Sequence, residues 1–151
     1  MKIKTIITGI SGRMGKQISS AFVSEPNIQL IGGVDLKTQR VTLGTGKTKC
    51  EIEITTNLPA LIEKVKPHVM VDFTHPASVM GNVRIALNNK VKCVVGTTGL
   101  SKSDYDEISN LCKVNNTGAV VAPNFAIGAV LLMKFAEIAS RHFPNGEIIE
   151  M

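Results

Sequence analysis

Short apolar runs alternate along the chain with longer segments in which apolar residues recur every three to four positions. The first pattern predicts β-strands and the second predicts amphipathic helices. The predicted strands are Ile3–Thr8, Ile28–Val34, Val69–Phe73, Val91–Val95 and Ala119–Ala122. The predicted helices are Gly12–Ser24, Leu58–Val65, Ser78–Asn88, Lys102–Val114 and Ile127–His142.

The predicted strands are almost continuously apolar, which is typical of strands buried on both faces of a parallel sheet. Strands and helices in alternation, joined by right-handed crossovers, predict a Rossmann-like, doubly wound, mostly parallel α/β sheet. The pattern is weakest over Thr42–Glu53, which we interpret as a loop followed by one short strand.

The end of the chain bears on the number of domains. We predict one domain over residues 1–146, and we predict that Glu147–Met151, an apolar and extended segment, begins a further strand. One interpretation is an edge strand at a natural terminus. The other is a strand that leads into a second domain absent from this chain, and the family resemblance described below favours this interpretation.

Composition narrows the class of function. The chain has 151 residues, of which 44% are hydrophobic and 4% aromatic, and its net charge of +5 is mostly scattered. These features disfavour a nucleic-acid partner. No apolar run approaches the roughly 20 residues that span a bilayer and no signal peptide is evident, so we expect a cytoplasmic protein without a membrane partner. Three cysteines without short spacing predict neither a metal site nor a disulfide framework.

A glycine-rich turn joins the first predicted strand to the first predicted helix. It reads Gly9-Ile10-Ser11-Gly12-Arg13-Met14-Gly15. Glycines let the backbone turn tightly and approach a pyrophosphate, and the helix N-terminus offers N–H groups to the phosphates. Asp35 follows the second strand, 20 residues after Gly15, where an acid binds the adenosine ribose. The alternative is a purely structural turn with a surface aspartate.

The dinucleotide could carry a 2′-phosphate or lack one. Asp35 alone repels a 2′-phosphate, whereas the nearby Lys37 and Arg40 accommodate it, and Arg13 is a further candidate. We therefore expect both NADH and NADPH to bind, with the preference left open. The alternative for Lys37 and Arg40 is ordinary charge in a solvated loop.

Three later loops follow predicted strands at the same edge of the sheet, where ligands of open α/β sheets bind. They contain glycines for close approach, hydroxyls, and one side-chain amide that both donates and accepts. The loops are Asp72-Phe73-Thr74-His75-Pro76, Gly96-Thr97-Thr98-Gly99 and Ala122-Pro123-Asn124-Phe125-Ala126-Ile127-Gly128.

Four motifs in fixed order carry a family resemblance over nearly the whole chain. They are Gly12-Arg13-Met14-Gly15, Val71-Asp72-Phe73-Thr74, Val95-Gly96-Thr97-Thr98-Gly99 and Ala122-Pro123-Asn124-Phe125-Ala126-Ile127-Gly128. In combination they resemble the 4-hydroxy-tetrahydrodipicolinate reductase (dihydrodipicolinate reductase) family. The resemblance implies reduction of a cyclic imine with NADPH or NADH in diaminopimelate and lysine biosynthesis. It also implies a homotetrameric full-length enzyme with a second, substrate-binding and tetramerisation α+β domain that is absent from this chain.

The resemblance also implies roles for individual residues. The pyrophosphate would be held by Gly9, Ile10, Ser11, Gly12, Arg13 and Met14, and the adenosine ribose by Asp35. The nicotinamide end would be lined by Phe73, Thr74, Gly96, Thr97, Thr98, Ala122, Pro123, Asn124 and Phe125. Thr98 would face the substrate, and core packing is the alternative for Phe73. No catalytic residue is expected within this chain, because the proton-donating histidine and a nearby lysine would follow Met151.

Two other functions share part of this pattern. A non-catalytic, dinucleotide-sensing module would have every cofactor-site feature without the acid. A semialdehyde dehydrogenase would need an activated cysteine near the cofactor, and Cys93 in a strand and Cys112 in a helix do not suit that role.

Overall fold

The computed structural model describes residues 1–46, 49–122, 124–143 and 145–147. Strands and helices alternate along these residues. The strands are β1 (Ile3–Thr8), β2 (Ile28–Val34), β3 (Gln39–Leu43), β4 (Cys50–Thr55), β5 (Val69–Asp72), β6 (Lys92–Val95) and β7 (Ala119–Val121). The helices are α1 (Arg13–Ser24), α2 (Leu58–Val65), α3 (Pro76–Asn88), α4 (Lys102–Asn115) and α5 (Ile127–Ala139).

The strands form a seven-stranded sheet in the order β3-β4-β2-β1-β5-β6-β7. Every neighbouring pair is parallel except β3 with β4, which is antiparallel. The chain leaves β1 toward β2 on one side and returns to β5 on the other, so the order reverses between β1 and β5. The carboxyl ends of these two strands therefore form the switch point at which open α/β sheets bind ligands. The predicted Rossmann-like fold is confirmed.

Helices cover both faces of the sheet. Ile6 and Ile7 are both fully buried, and because successive strand side chains point to opposite faces they belong to different core clusters. The Ile6 cluster includes residues of α2, α3 and α4, and the Ile7 cluster is packed by Ile18, Phe22 and Val23 of α1. This two-sided burial explains why the central strands are continuously apolar.

The region after β2 differs from the sequence-based expectation. Thr42–Glu53 was interpreted as a loop with one short strand, but β3 occupies Gln39–Leu43 and forms an antiparallel ladder with β4. Only Val41 and Leu43 of β3 are half-buried, and its other residues are exposed. The strand forms because Val41 lies opposite Ile52 of β4, a pairing that the local pattern of β3 does not reveal.

The other element boundaries agree with the expectation to within three residues. Helix α3 begins two residues earlier than expected, because Pro76 stands at its first position and the His75 side chain accepts a hydrogen bond from the Ala77 backbone at 3.3 Å. The predicted strand at Glu147–Met151 falls mostly on residues 148–151, which lie outside the described residues.

The chain divides into two compact units, Met1–Val121 and Ala122–Met151. The first contains the entire sheet with α1 to α4, and the second contains α5. The domain boundary at residue 146 stays a prediction.

Candidate functional site

The first turn of the chain closely follows the geometry that its glycines predict. Gly9 has a φ of +76°, a conformation that glycine adopts without steric cost. Its N–H donates to the Val34 carbonyl at 2.9 Å, which joins the turn to the end of β2. A Cβ at Gly9 would lie 2.3 Å from the Phe73 carbonyl oxygen, so only glycine fits between the ends of β1 and β5.

Two further glycines bring helix α1 close to this turn. Gly12 is the N-cap residue of α1, and its N–H donates to the Gly9 carbonyl at 3.1 Å. A Cβ at Gly15 would lie 2.2 Å from the same carbonyl oxygen. The helix therefore begins directly behind the turn, with Arg13 and Lys16 in its first turn. Its N-terminal N–H groups and positive dipole end suit an anionic group.

The remaining residues of the turn divide between core and surface. Ile10 is only 3% exposed, and its side chain occupies the space that a Cβ on Gly33 would need, so Ile10 can face a ligand only through its backbone. Ser11 is half-buried, whereas Arg13 and Met14 are exposed. The turn thus offers backbone groups and one exposed cation.

Asp35 stands beside this turn, as the 20-residue spacing predicts. Its Oδ2 accepts a hydrogen bond from the Ser11 backbone N–H at 2.7 Å, and its Oδ1 accepts one from the Leu36 N–H at 2.8 Å. The Asp35 N–H donates to the Thr55 carbonyl at the end of β4 at 3.0 Å. The carboxylate is therefore fixed at the mouth of the glycine turn.

The two cations proposed for a 2′-phosphate differ in their surroundings. Lys37 is exposed in the connection between β2 and β3. Arg40 lies opposite Glu53 in the β3–β4 ladder. The pKa of Glu53 is lowered chiefly by its hydrogen bond to Lys64 and by the Lys64 charge, with a smaller contribution from Arg40. Arg40 thus already faces a carboxylate, and Lys37 is the better candidate for a phosphate.

A cleft of about 340 Å³ opens at the carboxyl ends of β1, β2 and β5. It brings together Gly9, Asp35 and Thr74, three of the predicted cofactor residues. Sequence reasoning missed seven of its lining residues. They are Thr8, Val34, Leu36, Thr56, His75, Ser78 and Asn82. Thr8, Val34 and Leu36 adjoin predicted site residues in the chain, and His75 lies within a loop named above. No sequence pattern indicates Thr56, Ser78 or Asn82.

Asp72, the last residue of β5, is fully buried, and its side chain accepts five hydrogen bonds from the described residues. Its Oδ2 accepts from the Thr8 hydroxyl at 2.6 Å and from the Asn82 side-chain amide at 2.9 Å. Its Oδ1 accepts from the Thr97 hydroxyl at 2.7 Å, the Thr74 hydroxyl at 2.8 Å and the Thr74 N–H at 3.1 Å. Asp72 was part of a recognised motif, but no role was predicted for it.

The loop after β6 packs tightly against Phe73. The Gly96 N–H donates to the Asp72 carbonyl at 2.9 Å, and a Cβ at Gly96 would lie 2.2 Å from the Phe73 ring. The Thr97 hydroxyl is engaged within the protein, because it donates to Asp72 and accepts the Thr74 N–H at 2.8 Å. Thr98 is exposed. The Phe73 ring therefore has a packing role, which is the alternative to cofactor contact given for it above.

The last of the predicted cofactor residues, Ala122–Phe125, belong to the second unit. The Asn124 side chain accepts a hydrogen bond from the Ala126 N–H at 2.8 Å, immediately before α5. This bond closes an Asx turn just before the helix. Pro123 lies outside the described residues, and the roles of Ala122, Asn124 and Phe125 at a cofactor stay predictions.

Three further features are absent from the described part of the chain: a metal site, a membrane-spanning helix and a buried cysteine activated as a nucleophile. It contains no group of three histidine, cysteine or acidic side chains placed to hold a metal ion. None of its helices is long and apolar enough to cross a membrane. Burial raises the pKa of the Cys93 thiol to about 12, so Cys93 is a poor nucleophile.

A glycine turn between a strand and a helix, an acid at the end of the next strand and a cleft at the switch point define a Rossmann-like, dinucleotide-binding class of α/β domain. Residues 3–125 match the family described as "Dihydrodipicolinate reductase, N-terminus", and the chain belongs to this family.

Curated relatives agree with this assignment. The chain is 41% identical over 151 residues to a 4-hydroxy-tetrahydrodipicolinate reductase of Moorella thermoacetica, and 40% identical over 152 residues to one of Syntrophomonas wolfei. In both comparisons the match covers 99% of this chain and 57% of the relative. The chain therefore spans little more than half the length of these relatives.

Solved structures show the same fold. A dipicolinate-bound dihydrodipicolinate reductase from Paenisporosarcina sp. TG-14 superposes with a TM-score of 0.80 at 34% identity, over 96% of this chain and 56% of that one. A hyperthermophilic archaeal homoserine dehydrogenase in complex with NADPH superposes with a TM-score of 0.63 at 19% identity, over 80% of this chain and 44% of that one. The second likeness shows the fold alone.

Proposed function

We propose that this chain binds NADPH and NADH in the cleft at the carboxyl ends of β1, β2 and β5. The observation that carries the proposal is the hydrogen bond of 2.7 Å between the Ser11 N–H and Asp35 Oδ2. It holds the glycine turn, which would bind the phosphates, next to Asp35, which would bind the ribose. The match of residues 3–125 to the family described as "Dihydrodipicolinate reductase, N-terminus" supports the choice of ligand, because the resemblance to this family implies NADPH or NADH.

The glycine turn would hold the pyrophosphate. A side chain at Gly9 or Gly15 would clash with the backbone behind the turn. The glycines therefore keep the turn tight, so that its backbone N–H groups can approach a bulky anion. The N-terminus of α1 would contribute unpaired N–H groups, and Arg13 would contribute charge. Asp35 would accept hydrogen bonds from the adenosine ribose, and Lys37 would accommodate a 2′-phosphate.

The nicotinamide half would lie toward β5 and β6. Thr74 lines the cleft, and the loop Gly96-Thr97-Thr98 is the next backbone along this edge of the sheet. Since the Thr97 hydroxyl is engaged internally, its ligand contact would come from backbone groups, while the exposed Thr98 would face the substrate. For the segment Ala122–Phe125, a role at the nicotinamide end is what the family resemblance implies.

We further propose that the whole protein reduces 4-hydroxy-tetrahydrodipicolinate in diaminopimelate and lysine biosynthesis, as its curated relatives are named for doing. When bound, the dinucleotide supplies a hydride from nicotinamide C4 to the cyclic imine. This chain would hold and orient the cofactor, with little turnover by itself, because the family resemblance implies a proton-donating histidine after residue 151. A homotetramer in the cytoplasm is part of the same proposal.

Loss of reduced-nicotinamide absorbance tests the reaction. The 151-residue chain and a longer protein that continues past residue 151 are each mixed with NADPH and freshly prepared 4-hydroxy-tetrahydrodipicolinate. We expect rapid oxidation with the longer protein and slow oxidation with the chain, although both bind NADPH. Binding by both without oxidation by either would instead indicate a dinucleotide-sensing module. No binding by either would contradict the proposal.

A further inference from the structure

We propose that Asp72 is a positioning residue for the dinucleotide site, and this inference rests on the proposed function. Its carboxylate joins four segments: the end of β1 through Thr8, the loop after β5 through Thr74, the loop after β6 through Thr97, and helix α3 through Asn82. The first three of these segments carry the residues that would contact the cofactor.

Backbone hydrogen bonds join the same strand ends. The Phe73 N–H donates to the Thr8 carbonyl at 3.1 Å, and the Gly96 N–H donates to the Asp72 carbonyl at 2.9 Å. Thr8 directly precedes Gly9, the residue that starts the glycine turn. A shift of Asp72 would therefore move the phosphate-binding turn and the loops after β5 and β6 together.

The surroundings of the Asp72 carboxylate indicate a role beyond packing. Among the described residues no cation forms an ion pair with Asp72, and its fully buried side chain relies on neutral donors. Burying a carboxylate is costly unless hydrogen bonds satisfy it, and well-packed apolar residues often stabilise a core equally well. A buried carboxylate with five donors is explained more directly by the fixed geometry that it imposes on polar loops.

The fixed geometry has a direct consequence for binding. Because the hydroxyls of Thr74 and Thr97 are both turned toward Asp72, the two loops are held in one arrangement before a ligand arrives. A site that is ordered in advance loses less conformational freedom on binding and so binds more tightly. Without the carboxylate, the cofactor would have to order these loops itself.

Four variants of the chain test the role. Asp72→Asn replaces an acceptor by a donor, and Thr97→Val removes one hydroxyl from the network. Thr97→Ser keeps that hydroxyl, and Thr5→Val is the matched control. Thr5 is 2% exposed on the same strand as Thr8, and within the described part of the chain its hydroxyl donates to the nearby Ile3 carbonyl alone, at 3.3 Å. The dissociation constants of NADPH and NADH are measured by calorimetry.

We expect Asp72→Asn and Thr97→Val to weaken binding by about tenfold or more, since each breaks hydrogen bonds to a buried charge. Thr5→Val should stay within about threefold of the original chain, and Thr97→Ser should bind about threefold or more tightly than Thr97→Val, because it keeps the hydroxyl. Unchanged binding in Asp72→Asn and Thr97→Val would overturn the inference. Equal weakening in Thr5→Val would also overturn it, because the effect would then follow from any buried hydroxyl. If Asp72→Asn fails to fold, the two Thr97 variants decide.

A second measurement separates this inference from the proposed function. Amide hydrogen exchange reports local opening without any ligand. The Thr74 N–H, which bonds to Asp72 and Thr97, should exchange about tenfold faster in Thr97→Val than in the original chain or in Thr5→Val. If no dinucleotide binds the original chain, the proposed function fails, and with it the role in dinucleotide binding. If the dinucleotide binds and the exchange rate of Thr74 is unchanged in Thr97→Val, the proposed function stands and the positioning role is overturned.

Discussion

The backbone N–H of Ser11 donates a hydrogen bond of 2.7 Å to Oδ2 of Asp35, across 24 positions of the chain. This bond connects the glycine turn to the end of β2. It fixes the carboxylate where an adenosine ribose would lie, beside the N–H groups that would meet the pyrophosphate. Under the proposed function, recognition of the adenosine ribose and of the pyrophosphate therefore depends on one local arrangement.

Replacement of Asp35 should change the choice of cofactor. In Asp35→Asn we expect NADH affinity to fall by about tenfold, because the ribose hydroxyls lose a charged acceptor. NADPH affinity should fall less or rise, since the repulsion of the 2′-phosphate disappears. Calorimetric titration of both cofactors measures the ratio. Asp106→Asn, at an exposed position of α4, is the control. Equal losses for NADH and NADPH would contradict the ribose role.

Gly9→Ala should destabilise the fold as well as the site. The new Cβ would meet the Phe73 carbonyl oxygen at 2.3 Å, and φ of +76° is unfavourable for alanine. We expect a loss of about 2–4 kcal/mol in the free energy of unfolding. Gly81→Ala, in an exposed interior position of α3 with no atom near its new Cβ, should instead add about 0.5–1 kcal/mol. Urea unfolding measures the free energy of both variants. An unchanged stability of Gly9→Ala would refute the close approach of Gly9 to the Phe73 carbonyl.

The contact between Gly96 and Phe73 predicts compensation between two substitutions. Gly96→Ala would place a Cβ 2.2 Å from the Phe73 ring, and we expect it to cost about 1–3 kcal/mol. In a chain that already carries Phe73→Leu, the same change should cost less than half as much, because the smaller side chain leaves room. Gly118→Ala, with no atom near its Cβ, is the control. Additive effects of Gly96→Ala and Phe73→Leu in urea unfolding would contradict the contact.

Cys93 should resist alkylation in the folded protein. Since burial raises its pKa to about 12, deprotonation requires strongly alkaline solution, and the reactive thiolate is nearly absent at neutral pH. Iodoacetamide at mildly alkaline pH should modify the half-buried Cys50 and Cys112 first, as peptide mass spectrometry would show. In urea all three should react alike. Rapid native modification of Cys93 would show that its side chain is accessible.

The sequence predicts the fold where local pattern and tertiary environment agree. The central strands were recognised because burial on both faces leaves continuous apolar runs, and Asp35 was recognised because its distance from Gly15 is fixed by one strand–helix–strand unit. Strand β3 was missed because it is exposed and is defined by its pairing with β4. The Asp72 network was missed because its partners Thr8 and Thr97 lie 64 and 25 positions away.

The central claim is that the turn before α1 binds the phosphates of a dinucleotide, and Gly12 offers the most direct test. Gly12 is the N-cap residue with φ of −68° and ψ of 171°, a conformation open to any residue. Asp and Asn are both good N-cap residues, so Gly12→Asp and Gly12→Asn should fold alike, but only Asp brings a negative charge to the phosphates.

The first measurement is therefore a calorimetric titration of the original chain and these two variants with NADPH and NADH, with unfolding temperatures as a check on folding. We predict that the original chain binds both cofactors, that Gly12→Asn binds more weakly, and that Gly12→Asp loses binding by at least about a hundredfold. Equal affinity of Gly12→Asp and Gly12→Asn for both cofactors would contradict phosphate binding at this turn.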